Sequence, residues 1–248
     1  MNKRLSVAGL SLGVCLLLSP ALALADMTFK ASDGQEIHAT LTKAASSGQA
    51  VALLFHQARG NQHEYDAVAP RLNKMGFDTL AVDQRSGGSL FDHHNLTVKA
   101  QGTSTAYLPA YADLKGAVDW AQAHRYKTII AVGSSYSASL TLRLAEQDGN
   151  ALTAVAVFSP GEYFDDKQLI RQAVSRIRIP VYITTDPAEE SHVDTVLQDA
   201  DDVMITRHKP AHGVHGASTL DASRDPAGAA ANWASFADFM ARYAPHAE

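Results

Sequence analysis

Ser135 stands at the centre of Gly133-Ser134-Ser135-Tyr136-Ser137, a run that follows the apolar stretch Thr128–Val132 and leads at once into a helical pattern. Strand, very tight turn, helix is the arrangement that holds one side chain in strained backbone geometry and pushes it out above a sheet. A serine displayed in this way can act as a nucleophile if an imidazole within hydrogen-bond reach removes its proton. The residues two before and two after it must be small, because their backbones pass close together. Gly133 meets that need, whereas Ser137 stands where glycine is usual and lowers the motif's specificity. A Ser-rich helix cap explains the same residues without any chemistry, since serine also satisfies free N–H groups at a helix start. Taken alone, the motif leaves the two readings balanced.

A second loop shifts that balance. Val51–Phe55 runs into His56-Gln57-Ala58-Arg59-Gly60. Acyl transfer needs fixed donors for the negative oxygen of its tetrahedral intermediate, and backbone amides supply them without reorganisation. The amides of Gln57 and Tyr136 are placed to be those two donors. His56 precedes the elbow in the chain and reads as a residue that orients the loop.

With His56-Gln57 after the third strand, Asp83-Gln84-Arg85 after the fourth and Gly133 to Ser137 after the fifth, the chain resembles the α/β-hydrolase superfamily. Within it, the resemblance is to the dienelactone-hydrolase-like branch, which has little or no cap, and it covers nearly all of the chain after residue 25. It implies an α/β-hydrolase fold: a mostly parallel central sheet of about eight strands with helices on both faces. It also implies a serine hydrolase of the carboxylic-ester type, working without cofactor or metal through an acyl-enzyme on Ser135. In such enzymes the catalytic groups follow in the order serine, acid, histidine. His215-Gly216-Ala217-Ser218 matches the family's His-Gly-small pattern before a helix, so His215 is the favoured base and His212 the alternative. The acid should come some residues past Val181–Thr184. Glu189 ranks first on that offset and Asp186 close behind, while Glu162 after the preceding strand is less expected. Glu190 reads as a solvated residue in the first turn of a helix, favoured there by the dipole.

These groups need a frame, and the hydropathy pattern supplies one. Val51–Phe55, Phe77–Val82, Thr128–Val132, Leu152–Phe158 and Val181–Thr184 are short apolar, β-branched runs of the kind that make fully buried strands. Asp201–Thr206 predicts one more. Met27–Lys30 and Glu36–Thr42 are polar enough for an edge hairpin around Asp33-Gly34. Helical patterns lie between, at Glu64–Lys74, Tyr111–His124, Ala138–Glu146, Lys167–Ile177 and Asn232–Tyr243. Alternation of this kind predicts a parallel sheet covered on both faces. The stretch from Arg85 to Leu108 shows no periodicity and reads as a long loop forming a wall of the site.

The 248 residues are 46% hydrophobic and 19% charged, which excludes disorder and fibrous repeats. A net charge of −5 argues against a nucleic-acid partner. Lys3-Arg4, the apolar run Leu5–Leu18 and Ala23-Leu24-Ala25 follow the grammar of a secretory signal. Residues 1–25 are therefore expected to be removed, leaving a single domain, residues 26–248, in the periplasm or medium, with no stable membrane insertion. Cleavage would also remove Cys15, the only cysteine, so the exported chain would have no disulfide. No basic cluster suggests a phosphorylated substrate, and a small ester, lactone or thioester is the expected partner. Oligomeric state is not set by the sequence. Two other readings stay open: an inactive α/β-hydrolase-fold protein that binds a ligand, and a His-rich metal-binding protein. The second rests on eleven histidines, among them His208, His212 and His215, although Pro210 and Gly213 interrupt any helix that would align them.

Overall fold

A computed structural model describes residues 24–45, 49–200 and 204–245. The expected signal segment, apart from Leu24 and Ala25, lies outside the described residues. Eight strands form one sheet: β1 (Leu24–Lys30), β2 (Glu36–Thr42), β3 (Ala50–Phe55), β4 (Asp78–Asp83), β5 (Thr128–Ser134), β6 (Ala154–Phe158), β7 (Val181–Thr184) and β8 (Ile205–Arg207). Their order across the sheet is β1-β2-β4-β3-β5-β6-β7-β8. The polar hairpin β1–β2 runs antiparallel at one edge, and every pairing from β4 to β8 is parallel. Parallel pairing demands crossovers, and helices provide them on both faces.

Alternation along β3 shows how the two faces are built. Val51, Leu53 and Phe55 pack into one core with Leu114 and Val118 of α3 (Tyr111–Ala123) and Leu140 and Leu144 of α4 (Tyr136–Gln147). α5 (Leu169–Val174) and α6 (Glu190–Val196) cover the same face through Ile170 and Val193. Ala50, Ala52 and Leu54 point the other way, against Leu72 of α1 (Ala69–Lys74) and Phe236 and Phe239 of α7 (Ala229–Ala241). Each fully buried Leu, Val or Phe contributes about 1.5–3 kcal/mol to holding this three-layer arrangement. Every residue of β3 and β4 is buried, as the continuous apolar runs required.

The departures from the sequence pattern have local causes. The helix expected over Glu64–Lys74 is broken into a 3₁₀ turn at Gln62–Tyr65 and α1. Pro70 lies in the first turn of α1, where its ring is tolerated, and could not have continued a helix begun at Glu64. The stretch from Arg85 to Leu108 is not all loop, because it contains α2 (Leu96–Gln101). Asn95 caps that helix by accepting the Val98 N–H, and Gly102 ends it at φ 84°. Six residues are too few to show a helical period, so only the two caps could have announced it. The last strand begins at Ile205, beyond most of the expected Asp201–Thr206, of which residues 201–203 lie outside the described residues. Among the described residues, no helix is long and apolar enough to cross a membrane.

Arg85 anchors this stretch where it leaves β4. Its Nε donates to Asp113 Oδ1 (2.8 Å), its own amide donates to Asp113 Oδ2 (2.8 Å), and Nη1 and Nη2 clasp Asp33 of the hairpin turn. Asp113 is fully buried on α3. Burial pushes its acid up to about 6 despite the guanidinium beside it, while the Arg85 hydrogen bond takes Asp33 down to about 2. Removing one partner of a buried pair strands the other charge. Arg85→Leu is therefore expected to cost about 3–5 kcal/mol of unfolding free energy in a denaturant titration. A loss below 1 kcal/mol would show that the pair contributes little.

Candidate active site

β5 ends by turning sharply into α4, and Ser135 at the turn adopts φ 59°, ψ −125°. A non-glycine residue there is strained, and the crossing backbones leave no room for error. A Cβ at Gly133 would lie 2.5 Å from Thr141 Oγ1 and 2.6 Å from the Ser137 carbonyl oxygen, so only glycine fits. Ser137, where glycine is usual, has a use of its own. Its hydroxyl donates to the His56 carbonyl (2.6 Å) and accepts from Gln84 Nε2 (2.8 Å), tying the elbow to the loops after β3 and β4.

Ser135, His215 and Glu189 are brought together. His215 Nε2 lies 2.7 Å from Ser135 Oγ, and His215 Nδ1 lies 2.7 Å from Glu189 Oε1. The carboxylate can only accept, so Nδ1 carries the proton and Nε2 is free to accept the serine hydroxyl. Thr185 Oγ1 donates to the other oxygen of Glu189 at 3.1 Å, and Ser159 Oγ lies 3.2 Å from Thr185 Oγ1. Ser159 is itself held at φ 54°, and its hydroxyl accepts the Gly216 amide next to the base. The hydrogen bond to Glu189 raises the His215 imidazolium above its ordinary value, and burial opposes it. Burial works to raise the Glu189 acid, but the hydrogen bond from His215 and its neighbours outweigh burial and hold it low.

The other candidates lie elsewhere. Asp186 turns back to accept the Ala188 N–H (2.8 Å) and caps the short turn before Glu189. His212 is exposed, and its carbonyl accepts from Asn232. Glu162 caps the start of α5 through the amides of Ile170 and Arg171. Glu190 is not simply solvated, because it pairs with Arg207 across to β8. His56 is buried and neutral, driven down to about 4 by burial; its Nε2 accepts the Gln84 amide at 3.1 Å.

The two expected oxyanion donors differ. Tyr136 is the first residue of α4, so its amide has no partner within the helix. The Gln57 amide, in contrast, donates to Glu64 Oε2 at 2.7 Å, so that N–H is occupied. The next amide along the turn, Ala58, makes no hydrogen bond among the described residues. A cleft of about 740 Å³ opens beside the elbow, walled by Ser86 and Tyr107 of the Arg85–Leu108 stretch and by Tyr163, Phe164 and Arg59. Tyr163 connects it to the site, its hydroxyl donating to the Ser159 carbonyl (2.9 Å). Glu64, Ser159 and Tyr163 had no motif to mark them.

The histidine spacing at 208, 212 and 215 does not gather ligands. His208 bonds Asn232, and His215 faces Ser135. Among the described residues, those that do converge are His63, Asp66 and His93. The two rings are stacked at 3.6 Å with 15° between planes, and His63 Nδ1 is bonded to Asp66. A metal lies in the plane of each imidazole that binds it, and no nearby point lies in both planes. The group is a stacked pair, not a coordination shell.

No family model matches the sequence, and no curated protein is similar to it in sequence. Solved structures are similar in shape. An esterase from Pyrococcus furiosus superposes with a TM-score of 0.71 at 16% identity, over 89% of this chain and 93% of that one. A dienelactone hydrolase from Anabaena variabilis gives 0.63 at 14%, over 86% and 95%. An acylaminoacyl peptidase from Pyrococcus horikoshii gives 0.66 at 14%, over 92% of this chain but 42% of that one. At these identities the likeness shows the fold alone: the chain has an α/β-hydrolase fold.

The hydrogen bonds make a direct prediction about His215. Its imidazole should titrate above 6.5 in an NMR pH series, and Glu189→Gln should bring the midpoint down, because the charged acceptor on Nδ1 is gone. Asp186→Asn should move it much less. An Asp186→Asn effect larger than that of Glu189→Gln would reverse the ranking of the two acids.

Proposed function

We propose that this protein is a serine hydrolase that cleaves a small ester, lactone or thioester through an acyl-enzyme on Ser135. The observation that carries the reading is the unbroken chain Ser135–His215–Glu189, with both contacts at 2.7 Å. Ser135 Oγ attacks the acyl carbonyl while His215 Nε2 takes its proton. The imidazolium, held by Glu189, then protonates the leaving group. Water repeats the sequence on the acyl-enzyme and frees the acid and Ser135. The Tyr136 amide is one donor to the tetrahedral oxyanion. The Ala58 amide is the second, in place of Gln57, whose N–H is held by Glu64. The apolar walls of the cleft at Tyr107, Phe164 and Tyr163 suit the acyl or leaving group of a small substrate.

The neighbours in shape include esterases and dienelactone hydrolases, which supports hydrolysis of an acyl bond. The protein is exported, with cleavage after Ala25. N-terminal sequencing of the product from producing cells should begin at Asp26, and a soluble cytoplasmic product that retains Met1 would contradict export.

Ser135→Ala should abolish turnover of an activated ester and labelling by a fluorophosphonate probe. Loss of a triad member leaves a rate lower by several orders of magnitude. His215→Ala should behave similarly, whereas His212→Ala should turn over and label as the wild type does. Wild-type turnover by Ser135→Ala would overturn the acyl-enzyme mechanism. A wild type neither labelled nor active on any acyl substrate would make this a ligand-binding protein on a hydrolase fold.

A further inference from the structure

Glu64 is a carboxylate with no exposure to solvent, directly beneath the three loops that carry the chemistry. Its Oε2 accepts the Gln57 amide at 2.7 Å, in the turn after β3. Its Oε1 accepts the Ser134 hydroxyl at 2.7 Å, one residue before the nucleophile. The Ser134 oxygen in turn accepts the Ala217 amide at 2.8 Å, two residues past the base. Gly216 completes the junction at φ 74°: a Cβ there would stand 2.3 Å from Ser134 Oγ and 3.4 Å from Glu64 Oε1. One buried acid therefore links the oxyanion turn, the elbow and the base loop, although it touches none of the reacting atoms.

Resting on the serine-hydrolase reading above, we propose that Glu64 is a positioning residue that locks these three loops into register and presents a buried negative charge to His215. The donor pattern fits the ionised acid. Gln57 offers an N–H that cannot accept, so a protonated Glu64 would have to direct its O–H at Ser134 and reverse that bond. Ser134 would then accept from both Glu64 and Ala217, leaving its own hydrogen to find another acceptor. Burial raises the acid above its ordinary value, although the Ser134 and Gln57 hydrogen bonds and the charges of Arg224 and His215 pull against it, so the ionised form rests on the donor pattern. The charged and titratable groups around the pair are few. Glu189 and Asp186 face His215 from the segment after β7, and Arg224 faces Glu64 from beyond the base loop, donating to its carbonyl at 3.2 Å. Tyr65 adjoins Glu64 in its own turn, and Tyr163 lies opposite Glu189.

Glu64→Gln and Ser134→Ala separate the two parts of this role. Glutamine keeps the volume and an acceptor for Gln57, but its NH₂ must face Ser134 and its charge is gone. Ser134→Ala cuts the link to Ala217 and leaves the charge. Misplacing a catalytic group by an ångström costs up to about a hundredfold, so both variants should lose kcat by about tenfold or more with KM changed far less, while melting close to the wild type. Only Glu64→Gln should move the acid limb of kcat/KM, and the NMR midpoint of His215, to lower pH. If Glu64→Gln keeps wild-type kcat, acid limb and His215 midpoint, the inference is overturned and the hydrolase reading stands. If the wild type neither turns over nor labels, the hydrolase reading fails, and the His215 midpoint in the two variants still decides whether Glu64 acts on it. Should Glu64→Gln fail to fold, wild-type kcat in Ser134→Ala would overturn the inference by itself.

Discussion

Holding Ser135 at φ 59° and ψ −125° costs on the order of 1–3 kcal/mol, and much of the surrounding structure exists to hold it there. The parallel pairing of β5 between β3 and β6 fixes where the strand must stop. Gly133 allows the returning helix to pass within contact distance. The Ser135 amide donates to the Phe158 carbonyl at 2.8 Å, extending the sheet pairing one residue into the strained turn. Ser134 and Ser137 then spend their hydroxyls on neighbouring loops. The result is a serine whose oxygen faces His215 although the residue is only 5% exposed.

Charge is distributed around that point in a consistent way. His56, deep in the fold, is kept neutral by burial and serves as an acceptor for the Gln84 amide. His215, half-buried and bonded to Glu189, is pushed towards the protonated state. Two histidines in one protein therefore take opposite roles, because full burial dominates at His56, whose Nδ1 meets only a backbone carbonyl, and a carboxylate on Nδ1 dominates at His215. Beneath them, Arg85 clamps the start of the loop after β4 to α3 and to the edge hairpin, so the cleft wall is anchored at its base.

The parts of this arrangement that were legible in the sequence are those set by period and chain order. Buried strands announce themselves as continuous apolar runs, and Thr128–Val132 running into Gly133 carries the elbow. Glu189 could be ranked above Asp186 only by the resemblance, and the reason is local: Asp186 is one residue before Pro187 and bends back to cap the turn. That the Gln57 amide is occupied was not legible, because its acceptor is Glu64, which the fold also hydrogen-bonds to Ser134, seventy residues away in sequence. Glu64 itself read as the start of an amphipathic helix. Its contacts to Gln57 and Ser134 come from the 3₁₀ turn, which is separate from α1 and its Pro70. The departure at Ser137 illustrates the same limit, since the motif asks only for a small residue and cannot foresee a hydroxyl bonded on both sides.

The central claim is that Ser135 becomes acylated, and it can be read directly. The wild type is mixed with an activated ester, quenched in acid within the first turnovers, digested and mapped by mass spectrometry. The account predicts one acyl group on the peptide that carries Ser135, formed in the burst and lost as the acid is released. Turnover with no acylated peptide, or with the acyl group on another residue, would contradict it.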